Sequence, residues 1–151
     1  MSNVLKNILR TNLTAAMKAK DELRLAVTRA LIAAVEAKEK SGKTPVELDD
    51  NAILAVFRTE AKKRRESAGI YADAGAEVRA KRELAEAAFI DEYLPPELTD
   101  AELKALVDRA IVATRATTLA EMGAVMKVVK AAAPLADGKK TSSLVRAALT
   151  S

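Results

Sequence analysis

Apolar side chains recur three and four residues apart along nearly the whole chain, and this spacing constrains the fold more than any other feature. It matches the 3.6-residue turn of an α-helix and not the alternation of a strand. Val4, Leu5, Ile8, Leu9, Leu13, Ala16 and Met17 form a first stripe behind Ser2, a good N-cap, and the pattern stops near Lys20-Asp21. Asp21 caps a second helix through Leu23, Val27, Leu31, Ile32 and Val35, ended by Ser41-Gly42 and Thr44-Pro45, which leave a polar, mobile loop. Asp49 or Asp50 opens a third helix through Ile53, Leu54, Phe57, Ala61, Ala68 and Tyr71, and Gly75 caps it or kinks it into a fourth. The fourth stripe is Val78, Leu84, Ala88 and Phe89.

Leu94-Pro95-Pro96 stops any helix, because proline lacks the backbone N–H and disfavours helical geometry in the residue before it. Beyond it, Thr99 and Glu102 have capping-box spacing ahead of Leu103, Leu106, Val107 and Ile111. Thr118 and Glu121 repeat that spacing ahead of Leu119, Met122, Val125, Met126 and Val129. Pro134 ends this sixth helix, Asp137-Gly138 marks a turn, and Leu144, Val145, Ala148 and Leu149 form a last one. With two Phe, two Tyr and no Trp, composition also favours helix over sheet. The expected fold is all-α: a helical hairpin bundle over residues 1–93 and a three-helix unit over residues 97–151.

The chain has no Cys and no His, which removes thiolate and imidazole chemistry and the usual zinc sites. A di-metal bundle built on Glu-x-x-His pairs fails for the same reason. Neither phosphate-loop glycine motifs nor a G-x-S-x-G nucleophile turn occurs. Paired acids such as Glu83 and Glu86, or Asp91 and Glu92, read as a solvated acidic face, because nothing in the sequence gathers them into an apolar pocket. The expectation is no catalytic residue, cofactor or metal. The absence of a signal-peptide core or a membrane-length apolar run points to a cytoplasmic protein.

Net charge is +4, distributed in blocks. Residues 83–108 hold one basic and eight acidic side chains, whereas residues 109–151 hold seven basic and two acidic. Basic blocks suit a phosphate-rich partner, but they also arise as solvated helix faces. The run Lys62-Lys63-Arg64-Arg65 is not one patch, since about 100° per residue scatters its members. Arg58, Lys62 and Arg65 do share a face and form a candidate phosphate-tracking stripe. Arg64 falls on the apolar side, where its stem packs and its head pairs with Glu60 or an acid of the next helix. In EMGAVMKVVKAAAPLADGKK, Gly123, Lys127 and Lys130 flank the apolar seam. A glycine there admits either a neighbouring helix or a sugar-phosphate chain.

Tyr93-Leu94-Pro95-Pro96-Glu97-Leu98, Asp100-Ala101-Glu102-Leu103, Met122-Gly123-x-x-Met126, Ala136-Asp137-Gly138-Lys139 and Leu144-Val145-Arg146 together resemble the GatB/YqeY family. Lys62 to Ser67 and Tyr71 follow its K-x-R-x-x-S pattern in the first half. The family is similar to the C-terminal tail domain of the B subunit of the glutamine-dependent Asp/Glu-tRNA amidotransferase. That resemblance implies an all-α fold in two parts and a tRNA-binding appendage without a catalytic centre, assisting tRNA-dependent amidation. A carbon-nitrogen ligase label with glutamine as amido-N-donor travels with the family name. The phosphate-contacting residues it implies are Gly123, Lys127, Lys130, Lys139, Lys140 and Arg146, with Arg58, Lys62 and Arg65 as the second stripe. One departure is Ala132-Ala133-Pro134-Leu135 where the family reads K-G-R; Leu135 replaces a phosphate donor, and Lys139 and Lys140 supply charge one turn later. The competing reading is a protein-interaction adaptor of the translation machinery with no RNA contact, docking through the acidic block from Glu83 to Asp108 or the seam at Met122 and Met126.

Overall fold

The computed structural model describes residues 3–151, which form seven α-helices and one 3-10 turn, with no strand among them. The chain separates into two compact units, Met1–Pro95 and Pro96–Ser151.

The first unit contains α1 (Val4–Ala19), α2 (Glu22–Glu39), α3 (Asp50–Asp73) and α4 (Glu77–Asp91). Leu9, Val27, Leu31, Val35, Ile53, Phe57, Ala61, Phe89 and Ile90 make its core. Tyr93 closes one end, with its ring edge-on to Phe57 at 5.2 Å and to Phe89 at 5.9 Å. The expected Ser2 cap lies outside the described residues. The first amides of α1, Val4 N and Leu5 N, instead donate to the Asp50 carboxylate at 3.2 and 3.0 Å. Asp49 is the N-cap of α3, accepting from Ala52 N at 2.9 Å, so the two adjacent acids serve two different helices.

The polar link after α2 is anchored rather than loose. Glu39 accepts from the Lys6 ammonium and from Leu48 N at 2.9 Å, while Val46 N donates to Glu39 O at 2.9 Å. The Lys6 hydrogen bond and the Leu48 amide hold the Glu39 carboxyl below the usual carboxylate range, and Glu39 in turn raises Lys6.

The fourth helix corrects the expected stripe. Val78 and Leu84 are 83% and 51% exposed and Ala88 is also outside, while Ala80, Ala87, Phe89 and Ile90 are buried. Across from them α3 buries Ala61 and Ala68. Small side chains on both helices let α3 and α4 pack closely as an antiparallel pair, and Val78 and Leu84 are left on the outer side of α4. Gly75 caps α3: at φ 78° it allows Gly75 N to reach Ala72 O and Ala76 N to reach Tyr71 O. The same double bond closes α1 at Lys20 and α5 at Arg115, which adopt φ 55° and 56° without being glycine.

The second unit contains α5 (Asp100–Thr114), a 3-10 turn (Leu119–Glu121), α6 (Met122–Ala132) and α7 (Gly138–Thr150). Leu103, Val107, Ala110, Ala116, Val125, Val129 and Val145 form its core, with Met122, Met126, Ala136, Leu144 and Leu149 packed against it. Leu119, expected on the apolar stripe, is 47% exposed because it sits in the 3-10 turn before the stripe begins. Thr99 accepts from Glu102 N at 3.1 Å and starts α5. Thr118 and Glu121 make a complete capping box. The Thr117 amide, with further bonds from Thr118, keeps the Glu121 carboxyl below the usual carboxylate range. Asp137-Gly138, expected as a turn, instead begins α7: Asp137 is its N-cap and Gly138 its first residue.

Candidate nucleic-acid interface

Helix α6 separates its residues by period. Val125 and Val129 are fully buried and Met122 and Met126 half-buried, whereas Gly123, Lys127 and Lys130 are exposed within an arc of about 60°. A Cβ built on Gly123 meets no atom within 4 Å. The reading of this glycine as a notch for a neighbouring helix is therefore incorrect among the described residues. Its exposed position also explains how the helix tolerates the extra backbone freedom without a packing defect.

The link of residues 133–137 is short, so the end of α6 that carries Lys130 is the end from which α7 starts. Lys130 sits in the last turn of α6, where a cation suits the helix dipole. Lys139 and Lys140 sit in the first turn of α7, where a cation opposes it, and no acid accompanies them inside that turn. The Asp137 side chain accepts from Lys139 N at 2.8 Å and Lys140 N at 3.1 Å, so those amides are already taken and an arriving anion would meet the ammonium groups. Helical spacing puts Lys139 and Arg146 on one side of α7 and sends Lys140 about 100° away. There its Nζ lies 3.5 Å from Asp100 Oδ1, at the start of α5. Lys127, Lys130, Lys139 and Arg146 make no ion pair among the described residues. Leu135 is half-buried beside the core residue Ala136 and offers no donor.

The stripe in the first unit is less open. Arg65 is paired with Asp91 of α4, Arg58 is half-buried and not free, and Lys62 alone of the three is exposed without an ion pair among the described residues. Arg64 behaves as its position on the apolar side of α3 requires. It donates to Glu60 O at 3.2 Å and Glu60 Oε2 at 3.1 Å, and its Nε is 3.4 Å from Glu86 Oε2. Arg82 reaches the other oxygen of Glu86 at 3.4 Å. Glu86 is therefore a structural partner, and its pairing with Glu83 as an acid couple has no support in this geometry.

Among the described residues, no group of three metal-capable side chains gathers, and no helix is long and apolar enough to cross a membrane. The sequence reading missed Asp137 as the cap that occupies the α7 amides and Asp100 as the counter-ion of Lys140. The Asp-Gly dipeptide ahead of a new apolar stripe was the available signal for the first; Asp100 and Lys140 are too far apart in sequence for any local pattern to pair them.

An all-α chain in two compact units, with unpaired cations on the last two helices of the second, is the class of protein defined by these features. A family model described as Yqey-like protein matches residues 6–149, and the chain belongs to that family. No curated protein matches the chain.

Proposed function

We propose that the protein is a tRNA-binding helical module without a catalytic centre of its own, related to the tail of the glutamine-dependent tRNA amidotransferase and assisting tRNA-dependent amidation. One observation carries the reading. Lys127, Lys130, Lys139 and Arg146 are exposed on α6 and α7 without a counter-ion among the described residues, and one of them stands where the helix dipole disfavours it. Cations that pair with nothing among the described residues, one of them against its own helix dipole, are well suited to an external polyanion. Gly123, open above its Cα, lets a sugar-phosphate backbone lie against α6 one turn before Lys127, on the face that carries Lys127 and Lys130. Lys140 joins the surface by exchanging Asp100 for phosphate. Within the first unit, Lys62 is the open member of its own stripe, since Arg65 would first have to leave Asp91.

Filter binding of folded tRNA across a salt series tests this. Four phosphate contacts correspond to a slope of about −3 in log affinity against log salt, taking about 0.7 per contact. Lys127→Glu/Lys130→Glu should cut affinity strongly and flatten that slope by about half. A slope near zero, or an unchanged slope in the variant, rejects the phosphate interface.

A second reading, a protein-interaction adaptor, draws on the outer face of α5. There Val112 is 76% exposed and lies opposite the buried Leu103 and Val107, one turn beyond the acidic Asp108. The Met122 and Met126 seam is less suited to docking, because both side chains pack against the core. Purification from cells distinguishes the two: a stoichiometric protein partner without nucleic acid supports the adaptor, and co-purifying RNA lost at high salt supports the tRNA module.

A further inference from the structure

A cleft of about 340 Å³ opens in the first unit, lined by Asn12, Ala15, Ala16, Ala19, Asp21, Arg24, Thr28 and Phe89. One wall is the alanine face of α1. The opposite wall is a stack, with the Arg24 guanidinium 4.7 Å above the Phe89 ring. The lining is about as polar as it is apolar, and the alanine face on one side and the Arg24–Phe89 stack on the other suit a planar occupant with polar edges.

The polar groups narrow its chemistry. Thr28 is 0% exposed and its hydroxyl has no hydrogen-bond partner among the described residues. Five of the six other helical threonines, at positions 14, 59, 114, 141 and 150, donate to the carbonyl four residues earlier; the exposed Thr11 and the buried Thr28 do not. A buried hydroxyl that does not bond its own helix needs a partner from elsewhere. Asn12 donates one amide hydrogen to Tyr93 Oη at 2.6 Å, leaving its second hydrogen and its carbonyl oxygen for an occupant. A purely apolar guest would leave these groups unsatisfied. An anion is disfavoured, because Asp21 and Glu92 lie 3.4 and 3.7 Å from Arg24 and already exceed its charge. A cation would compete with Arg24 for the same ring and the same carboxylates.

A flat, neutral group with hydrogen-bonding edges satisfies all of these conditions. We propose that the cleft is a pocket for a single unstacked nucleobase, which slides between the α1 alanines and the Arg24–Phe89 stack and is read at its edge by Asn12 and Thr28. Arginine planes, aromatic rings and side-chain amides are the groups that recognise unstacked bases. The base could belong to a free nucleoside or to a looped-out residue of an RNA strand, and the test separates these sources.

The test titrates the full-length protein with adenosine and with uridine, neutral probes that lack phosphate, and follows backbone amide NMR signals. Either nucleoside should saturate with a dissociation constant at or below about 1 mM, shifting amides around residues 12–28 and 89, with little dependence on salt. Thr28→Val is the informative variant. Replacing an unpartnered buried hydroxyl with an isosteric methyl should leave the fold intact and raise the melting temperature, yet weaken nucleoside binding about tenfold. Asn12→Ala should also weaken it while the parent fold is kept, as judged by its amide spectrum. A short single-stranded RNA that shifts the same amides, and loses that effect in Thr28→Val, identifies a strand-borne base; nucleoside binding without such an RNA effect identifies a free nucleoside. No saturation by either nucleoside up to about 10 mM, or affinity unchanged in a folded Thr28→Val protein, overturns the proposal. Because the probes carry no phosphate, that failure leaves the α6–α7 surface untouched, and a salt-independent tRNA result leaves this cleft untouched.

Discussion

Replacing Gly123 by alanine separates stability from binding at one position. In a helix interior alanine is favoured over glycine by about 0.5–1 kcal/mol, because glycine loses more backbone freedom on folding. Gly123 is in the first turn of α6, so the lower end of that range applies, about 0.5 kcal/mol. No packing term opposes it: the added Cβ meets nothing within 4 Å. For a unit of this size the gain corresponds to a rise of about 2–4 °C in the melting transition of the second unit. Urea and thermal unfolding followed by circular dichroism measure it. The same methyl stands one turn before Lys127, on the face that carries Lys127 and Lys130, and should hold a sugar-phosphate backbone off α6, lowering tRNA affinity several-fold. A destabilised Gly123→Ala protein would refute the structural reasoning, since it would require a close neighbour that this fold does not have. A stabilised variant with undiminished tRNA binding would leave the open glycine without a role in the interface.

Three further perturbations address the framework. Arg64→Met leaves Glu60 and Glu86, with side chains 20% and 15% exposed, short of their shared cation; the expected loss is about 2–3 kcal/mol in urea unfolding, with substantial recovery when Glu60→Gln and Glu86→Gln are added, and a loss under about 0.5 kcal/mol would contradict the pairing. Lys20→Gly and Arg115→Gly each relieve a left-handed residue at a helix end and should stabilise by about 1 kcal/mol, whereas glycine at neighbouring Lys18 should destabilise. Glu39→Gln tests the anchored loop by its pH dependence. Because folding lowers the Glu39 carboxyl, its stabilisation is present above the usual carboxylate range and fades as pH falls through the folded value, so the gap between parent and variant should be wide at neutral pH and close in acid; the raised Lys6 makes the gap narrow again as pH climbs through the lysine range. A gap constant from acid to neutral pH would show that the Lys6–Glu39 pair contributes no linked stability.

How far the sequence reaches can be judged helix by helix. The stripes of α2, α5 and α6 are carried by large aliphatic residues at regular spacing, and Val27, Leu31, Val35, Leu103, Val107, Val125 and Val129 are buried where that spacing put them. The caps at Asp21, Asp49 and Thr99 were equally readable, because an N-cap acts on amides two or three residues away. Misreading of α4 came from weighing side-chain size over closeness of approach. Alanine scores as weakly apolar, yet Ala80 and Ala87 are the residues that face Ala61 and Ala68, and Val78 and Leu84 are left outside. The candidate interface was legible only as a set of lysines on a flank. Which of them remain unpaired depended on residues distant in sequence: Asp91 engages Arg65, Asp100 approaches Lys140, and nothing comparable among the described residues reaches Lys127 or Lys130.

By itself the sequence determined the helical class, the proline break, the lack of thiol and imidazole chemistry, and the sidedness of α6. All are local properties, set by residue type and by a period of 3.6. Tertiary structure alone decided that Asp50 caps a different helix from Asp49 and, among the described residues, that nothing packs against the Gly123 Cα and that the buried Thr28 hydroxyl has no partner. Each of these depends on what another helix brings near, and neither helical period nor propensity carries that information.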